Sequence, residues 1–187
     1  MYNFVKRFFD IFFSSFTLIF LSPILIVISL IIVLQDGKTP IFKQKRIGTS
    51  GKEFEFYKFR SMPVSTPSVV STSKNKIKIT FFGKFLRRTN LDELPQFYNV
   101  LIGDMSVIGP RPSLPEQTNL IKMRHNNNSI HLRPGLTGWA QVNSYDGMPE
   151  EKKAFFDGEY CEKVNLMFDL KIFLKTFIYF TKKPPVY

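Results

Sequence analysis

The chain has 187 residues, with 26 Lys and Arg against 15 Asp and Glu, a formal net charge of +11 and a pI near 9.8. That length suits about one domain and excludes a multidomain machine, while 21 Phe beside a single Trp exclude intrinsic disorder. The charge calls for an anionic partner, whether nucleic acid, an anionic membrane surface or a phosphorylated substrate; the single cysteine, Cys161, excludes an internal disulfide or a Cys-rich zinc site and reads as a buried structural thiol.

Residues 11–34 contain no charge, and a helix of that length reaches across a hydrocarbon core of about 30 Å. No small-residue cleavage site follows, since Gln35-Asp36-Gly37-Lys38 comes next, so the run reads as a membrane segment and not as a cleaved signal. Lys6 and Arg7 precede it, and Lys38, Lys43, Lys45 and Arg46 follow it. The positive-inside rule then places both ends on the cytoplasmic face. At the centre stand Ser22 and Pro23, and proline removes a backbone donor and crowds the carbonyl four residues earlier. The expectation is a re-entrant helix broken at Ser22-Pro23, with Ser22 satisfying freed backbone groups; an ordinary kinked span is the alternative.

Residues 40–62 alternate apolar and polar side chains around Thr49-Ser50-Gly51, as a β-hairpin does. Residues 63–73 are rich in Ser, Thr and Pro and read as a mobile loop, either a ligand cover or an inert linker. Residues 79–98 carry helical patterning, and residues 74–88 hold six basic residues and no acid, a candidate polyanion face. Residues 114–124 read as a helix broken by residues 125–128, and Arg133-Pro134-Gly135 opens a second loop before Trp139. His125 and His131 lie in polar sequence and read as solvated. Residues 169–180 set Phe and Leu against Lys171 and Lys175, an amphipathic helix that either lies in the headgroup layer or packs on the core.

Chemistry concentrates in residues 87–112. Asp92 and Glu93 follow Arg87 and Arg88 closely, in what resembles a helix start, with Thr89 or Asn90 as cap and an acid three residues on completing a capping box. Acids at such a place suit the helix dipole without any catalytic role. Side chains adjacent on a helix diverge by roughly 100°, so the two acids cannot flank one bond as a glycosidase pair does. A division of labour is open to them: one carboxylate as nucleophile, the other holding a divalent metal or managing a proton. Arg87, Arg88 and Arg111 are the cations that would make a phosphate tolerable there. Mg2+ suits such a site, because it is held by one or two carboxylates plus phosphate oxygens. In Gly109-Pro110-Arg111-Pro112 the flanking prolines restrict the backbone and preset the guanidinium, a fork suited to phosphate or simply a rigid turn.

Leu91-Asp92-Glu93-Leu94-Pro95-Gln96, followed by Asn99-Val100-Leu101, Gly103-Asp104-Met105-Ser106 and Gly109-Pro110-Arg111-Pro112, resembles the bacterial sugar transferases, the small monotopic phosphoglycosyl transferases. Lys6-Arg7-Phe8-Phe9-Asp10, Ser22-Pro23, Tyr57-Lys58-Phe59-Arg60-Ser61-Met62, Arg133 to Val142 and Asp169-Leu170-Lys171-Ile172 extend the resemblance nearly end to end. It implies an α+β, helix-dominated fold: residues 1–36 as a re-entrant membrane anchor, and residues 37–187 as a catalytic domain with a small β-hairpin or sheet and amphipathic interfacial helices. It further implies transfer of a sugar phosphate from a UDP-sugar to a polyprenyl (undecaprenyl) phosphate at the cytoplasmic face of the bacterial inner membrane, by a ping-pong route. Asp92 would be nucleophile and, with Glu93, hold Mg2+; Glu93 would assist through the metal or a proton. Arg87 and Arg111 would bind phosphates, and Lys58, Arg60, Arg133 and Gln141 would contact substrate or frame the site. Cys161, where an aromatic is common, and the variable loop 63–73 depart from the pattern. Membrane lipids are expected partners, a homo-oligomer is open, and nucleic acid is not among them. A membrane-tethered polyanion-binding module, in which Asp92 and Glu93 merely begin a helix, is the rival from another class.

Overall fold

The computed structural model describes residues 2–62, 79–143 and 148–181. The expected loop at 63–73 and part of the basic run 74–88 lie outside the described residues.

The uncharged N-terminal run forms two helices, α1 (Tyr2–Phe20) and α2 (Ser22–Asp36), bent by 61° at the break. Pro23 cannot donate to the Ile19 carbonyl four residues back, and the Ser22 hydroxyl donates to that carbonyl instead at 2.7 Å. Neither helix is long and apolar enough to cross a membrane alone, and the bent pair passes that test only together. Along α1 one face carries Phe8, Phe12, Phe16 and Phe20, all exposed, while Asp10 and Ser14 are buried on the other. The spacing of four keeps the phenylalanines on one stripe, and Phe16 stacks on Phe20 at 5.6 Å.

The buried face of α1 is bolted to the rest of the chain. Arg7 donates from both terminal nitrogens to the Val100 and Leu101 carbonyls, at 2.6 and 2.8 Å, in the last turn of α4 (Gln96–Ile102), where carbonyls lack the usual helical donor four residues on. Asp10 accepts from the Ser106 hydroxyl and the Val107 amide at 3.0 and 2.9 Å. Tyr2 and Lys6 both donate to Asp169, which also accepts from Tyr160 at 2.7 Å. The Lys6-Arg7-Phe8-Phe9-Asp10 signature therefore works as a set of struts.

The expected hairpin is present: β1 (Ile41–Ile47) pairs antiparallel with β2 (Glu53–Phe59), Gln44 opposite Phe56, around Thr49–Gly51. Its two faces feed different cores. Phe56 packs with Val100 and Met105, and Phe59 with Leu86 of α3 (Phe81–Arg88) and with Ile28 and Ile32 of α2. The free edge of β2 is closed by a side chain. Asn99, fully buried, accepts from the Tyr57 amide at 3.1 Å and donates to the Glu55 carbonyl at 2.7 Å, as a third strand would.

Three expectations are corrected. The helical stretch at 79–98 is two helices, α3 and α4, separated by a single 3-10 turn at Leu91–Glu93, because Asn90 adopts φ 54° and ends any continuous helix. No capping box forms: Asn90 makes no side-chain cap, and the Thr89 hydroxyl donates back to the Phe85 carbonyl at 2.9 Å. The helix expected from residue 114 begins later, as α5 (Thr118–Asn126), because Pro115 and a turn closed by Gln117 to the Leu114 carbonyl and amide occupy residues 114–117.

A second sheet, unforeseen, pairs β3 (Ser106–Ile108) parallel with β4 (Gly135–Thr137). Short α6 (Trp139–Val142), then α7 (Glu150–Lys163) and α8 (Leu166–Thr181), complete the chain. Helix α8 packs Ile172 into a core with Tyr160, Val142 and Ile108 and leaves Leu170, Leu174 and Phe177 exposed. Cys161 is half-buried, and burial pushes its thiol up. His125 and His131 are exposed, and the ring Nδ1 of His131 lies 3.2 Å from the Ser50 hydroxyl.

Candidate active site

The turn Leu91–Glu93 sits between α3 and α4, with β2 beside it and the Gly109–Pro112 loop next to that. Each element contributes one group. Helix α3, capped by Thr80 through the Gly83 amide at 2.9 Å, carries Arg87 in its last turn, and Arg87 Nε donates to the Ser61 hydroxyl at 2.9 Å. Strand β2 carries Lys58.

Glu93 is the hub of the charge network. Its Oε1 accepts from Lys58 Nζ at 2.7 Å and from Arg111 Nη2 at 2.8 Å, and its Oε2 makes neither contact. Burial alone would raise this carboxyl, but Arg111 and Lys58 outweigh it and hold the group far below the usual carboxylate range. Asp92 has the opposite environment. It is 7% exposed, and among the described residues its carboxylate accepts no side-chain hydrogen bond and makes no ion pair. Burial pushes its carboxyl up, with Lys58 and Arg87 drawing it down and Glu93 adding to the rise. Two adjacent acids thus differ in kind: a carboxylate fixed and compensated by two cations, and a desolvated one with no ion-pair partner among the described residues, an environment suited to a nucleophile.

Arg111 is held where it is by glycine packing. The Gly109 amide donates to the Thr137 carbonyl and the Gly135 amide to the Pro110 carbonyl, both at 2.8 Å. A β-carbon on Gly138 would lie 2.0 Å from the Gly109 carbonyl oxygen, and one on Gly135 would lie 2.1 Å from the Gly109 amide. Only glycine lets these backbones approach so closely. Gly138→Ala is therefore expected to displace the 109–112 loop and loosen Arg111 from Glu93. The expected readout is affinity for a phosphate-bearing ligand lowered on the order of tenfold, roughly one charge-assisted hydrogen bond weakened, by titration calorimetry.

Sequence reasoning missed Arg46. Its guanidinium lies 5.3 Å over the Phe56 ring and donates to the Pro112 carbonyl at 3.2 Å and to Gln44 at 2.9 Å. Burial and the neighbouring Arg111 pull it down to about 10. The signal was available in the hairpin register: with the turn at 49–51, Arg46, Gln44, Phe56 and Lys58 share one face. Asn99 stands out in the sequence only as part of a motif, and its place at the β2 edge needs the tertiary fold.

The structure gathers Asp92, Glu93, Arg87, Lys58 and Arg111 and leaves the other candidates elsewhere. Arg60 donates to the Thr39 hydroxyl at 3.2 Å at the foot of the hairpin. Arg133 is an electrostatic neighbour of Arg7 and Asp10. Gln141 lies against Gly138, with neither end of its buried carboxamide hydrogen-bonded. Among the described residues no three His, Cys, Asp or Glu side chains form a metal cluster. The carboxylate of Asp92 and the Oε2 of Glu93 are the oxygen donors here that could hold a hard cation, whose remaining ligands would be phosphate oxygens and water.

Residues 1–183 match the family model of the bacterial sugar transferases. Over 96% of its length the chain is 41% identical to the UDP-glucose:undecaprenyl-phosphate glucose-1-phosphate transferase of Escherichia coli (strain K12), with 41% of that protein covered. Over 95% it is 44% identical to the enzyme of the same name from Klebsiella pneumoniae, with 40% covered. The exopolysaccharide production protein PSS of Rhizobium leguminosarum bv. phaseoli is 37% identical, over 93% of this chain and 94% of that protein. The chain thus spans about two fifths of the length of the two named glucose-1-phosphate transferases. With the match running through the Asp92–Glu93 turn, the Arg111 loop and the strutted N-terminal helix, the chain belongs to the bacterial sugar transferase family.

Proposed function

We propose that this protein is a phosphoglycosyl transferase that moves a sugar 1-phosphate from a UDP-sugar to polyprenyl phosphate, in the first membrane step of a glycan assembly such as a capsule, O-antigen or glycoprotein glycan. The observation that carries the reading is the desolvated, unpaired Asp92 beside Arg87, next to a Glu93 already neutralised by Lys58 and Arg111. A polyanion-binding module gains nothing from an unpaired buried carboxylate, which repels its ligand.

In the first half-reaction an Asp92 oxygen attacks the β-phosphorus of the donor. A bond forms from carboxylate to phosphorus, the bridging P–O bond breaks, and UMP leaves with the bridging oxygen. In the second, a phosphate oxygen of the polyprenyl phosphate attacks the same phosphorus and returns Asp92 as carboxylate, giving polyprenyl diphosphate sugar. Arg87 and Arg111 hold phosphate oxygens through both steps, which counters the repulsion between anionic nucleophile and anionic donor. Asp92 and Glu93 Oε2 would hold Mg2+, which when bound neutralises charge on the donor diphosphate. Lys58 keeps Glu93 ionised and oriented.

The membrane reading is supported by exposed apolar side chains along α1 (Phe8, Phe12, Phe16, Phe20) and α8 (Leu170, Leu174, Phe177). It places the broken helix pair as a re-entrant anchor on the cytoplasmic face of the inner membrane, with α8 in the headgroup layer. In a Cys161→Ser background, single cysteines at positions 2 and 38 are both expected to react with an impermeant thiol reagent only after the cytoplasmic side is opened; reaction of one from outside identifies a true span. The reaction itself is tested by incubating purified protein with Mg2+ and UDP-sugars, without acceptor. Stoichiometric UMP and an intact-mass increase of one phosphosugar support the covalent route. Absence of UMP with and without polyprenyl phosphate overturns it in favour of the binding module.

A further inference from the structure

Among the cations beside the site, Arg46 has no part in the reaction described above, and its surroundings show what it holds. Side chains alternate along β1, so Gln44 and Arg46 share one face of the hairpin with Phe56 and Lys58. On that face the guanidinium lies 5.3 Å over the Phe56 ring, and its Nη2 donates to the Gln44 side chain at 2.9 Å. Ring and carboxamide fix the planar group from two sides, and its Nη1 donates to the Pro112 carbonyl at 3.2 Å. The next residue of β1 repeats the contact through the main chain: the Ile47 amide donates to the Ser113 carbonyl at 2.9 Å.

The loop that carries Arg111 is thus held on both sides. Before Arg111, the Gly109 amide and the Pro110 carbonyl are bonded to β4; after it, the Pro112 and Ser113 carbonyls are bonded to β1. The hairpin therefore governs two cations at once. Lys58 reaches Glu93 Oε1 directly from β2, and Arg111 reaches the same oxygen from a segment that β1 fastens. Stability alone does not account for a guanidinium in this place. Among the described residues Arg46 makes no ion pair, and its Nε is buried without an acceptor. Its charged neighbours are Arg111, which repels it, and Glu93 and Glu116, which attract it. An apolar side chain of similar volume would cover Phe56 without the desolvation cost, but it would leave the Pro112 carbonyl unheld.

We infer that Arg46 is a positioning residue: by fastening Pro112 it fixes the Arg111 guanidinium in the place, beside Glu93 and Lys58, from which Arg111 binds the donor diphosphate. The inference rests on the donor assigned above. Arg46 acts through Arg111, and no bond to it forms or breaks in either half-reaction. Loss of the fastening leaves Asp92 and its surroundings as they are and frees the loop on one side, so the effect falls on diphosphate binding.

The test removes the fork and keeps the packing. In full-length protein with Mg2+, Arg46→Met, whose thioether still covers Phe56, is expected to raise the Kd for UDP about tenfold by titration calorimetry, the loss of roughly one charge-assisted hydrogen bond. A merely structural role lowers the fraction of protein that binds and leaves Kd unmoved, and that result overturns the inference. Arg46→Lys keeps the charge without the planar fork and is expected to leave the Kd raised severalfold; full recovery by lysine assigns the effect to charge alone and also overturns it. Lys45→Gln removes the same charge from the opposite face of β1, where Lys45 pairs with Glu53 at 3.0 Å, and is expected to leave the Kd within about twofold. A rise equal to that of Arg46→Met overturns the inference. Hydrogen exchange across residues 109–114 reads the loop without any ligand: faster exchange in Arg46→Met is expected, and unchanged exchange overturns the fastening. If the unaltered protein binds no UDP, the donor reading falls, and the exchange result still decides whether Arg46 holds the loop.

Discussion

Asp92→Asn is expected to abolish acceptor-free UMP release and the phosphosugar adduct together, with a loss on the order of 10⁴-fold or more, because removing a nucleophile removes the covalent route and not merely a stabilising contact. The substitution keeps size and hydrogen-bonding shape, and Asp92 anchors no other side chain among the described residues, so the fold is expected to survive with an unchanged melting temperature. Glu93→Gln gives a contrasting result. It leaves Lys58 and Arg111 without their shared counter-ion, so both donor KM and thermal stability are expected to suffer while some adduct still forms. A polyanion-binding module predicts the reverse for Asp92→Asn: ligand binding would improve as a repulsive charge is lost. Intact adduct formation by the Asp92→Asn protein would sink the nucleophile assignment.

The largest effect on stability is expected far from the chemistry. Arg124 of α5 donates through two nitrogens to Asp157 of α7, at 2.9 and 2.6 Å, and both side chains are almost wholly buried. Burial pushes the Asp157 carboxyl up against the pull of Arg124, which is the mark of a charge that water would rather have. Asp157→Ala strands a guanidinium in the interior and is expected to cost about 3–5 kcal/mol, lowering Tm by on the order of 10 °C. Replacing both partners, as Arg124→Met with Asp157→Leu, is expected to recover most of that loss, since neither charge is then left alone. Calorimetry or thermal unfolding of the three variants in one detergent decides it. A double variant no better than Asp157→Ala would show that shape, not charge, holds the α5–α7 contact.

What could be read from the residues alone follows their physics. Ser22-Pro23 announces its break because proline's missing donor is a local fact, and the hairpin announces itself through strict alternation about Thr49-Ser50-Gly51. Asp92 and Glu93 could be seen as neighbours with different duties. Which one is paired and which is not depends on Lys58 arriving from β2 and Arg111 from a loop held by Gly109, Gly135 and Gly138. Those glycines show no period, and three-residue strands such as β3 and β4 leave no pattern; their pairing is a matter of backbones fitting closely. Arg133 and Gln141 draw attention by position in a motif, yet the structure sets Arg133 with the anchor struts and Gln141 beside Gly138. A motif marks residues held together by a fold without separating those that touch substrate from those that hold the scaffold.

The struts of the N-terminal helix also bear on the order in which this protein is made. Tyr2 and Lys6 meet their partner Asp169 across 167 and 163 residues of chain. Arg7 and Asp10 wait for α4 and β3, more than ninety residues on. Helix α1 is thus made well before the groups that fasten it. Until α8 has been synthesised, Tyr2 and Lys6 lack their shared partner Asp169, and contacts of such sequence separation form slowly. A nascent chain stalled before α8 therefore lacks Asp169 for Tyr2 and Lys6, while Arg7 and Asp10 already have their partners on α4 and β3.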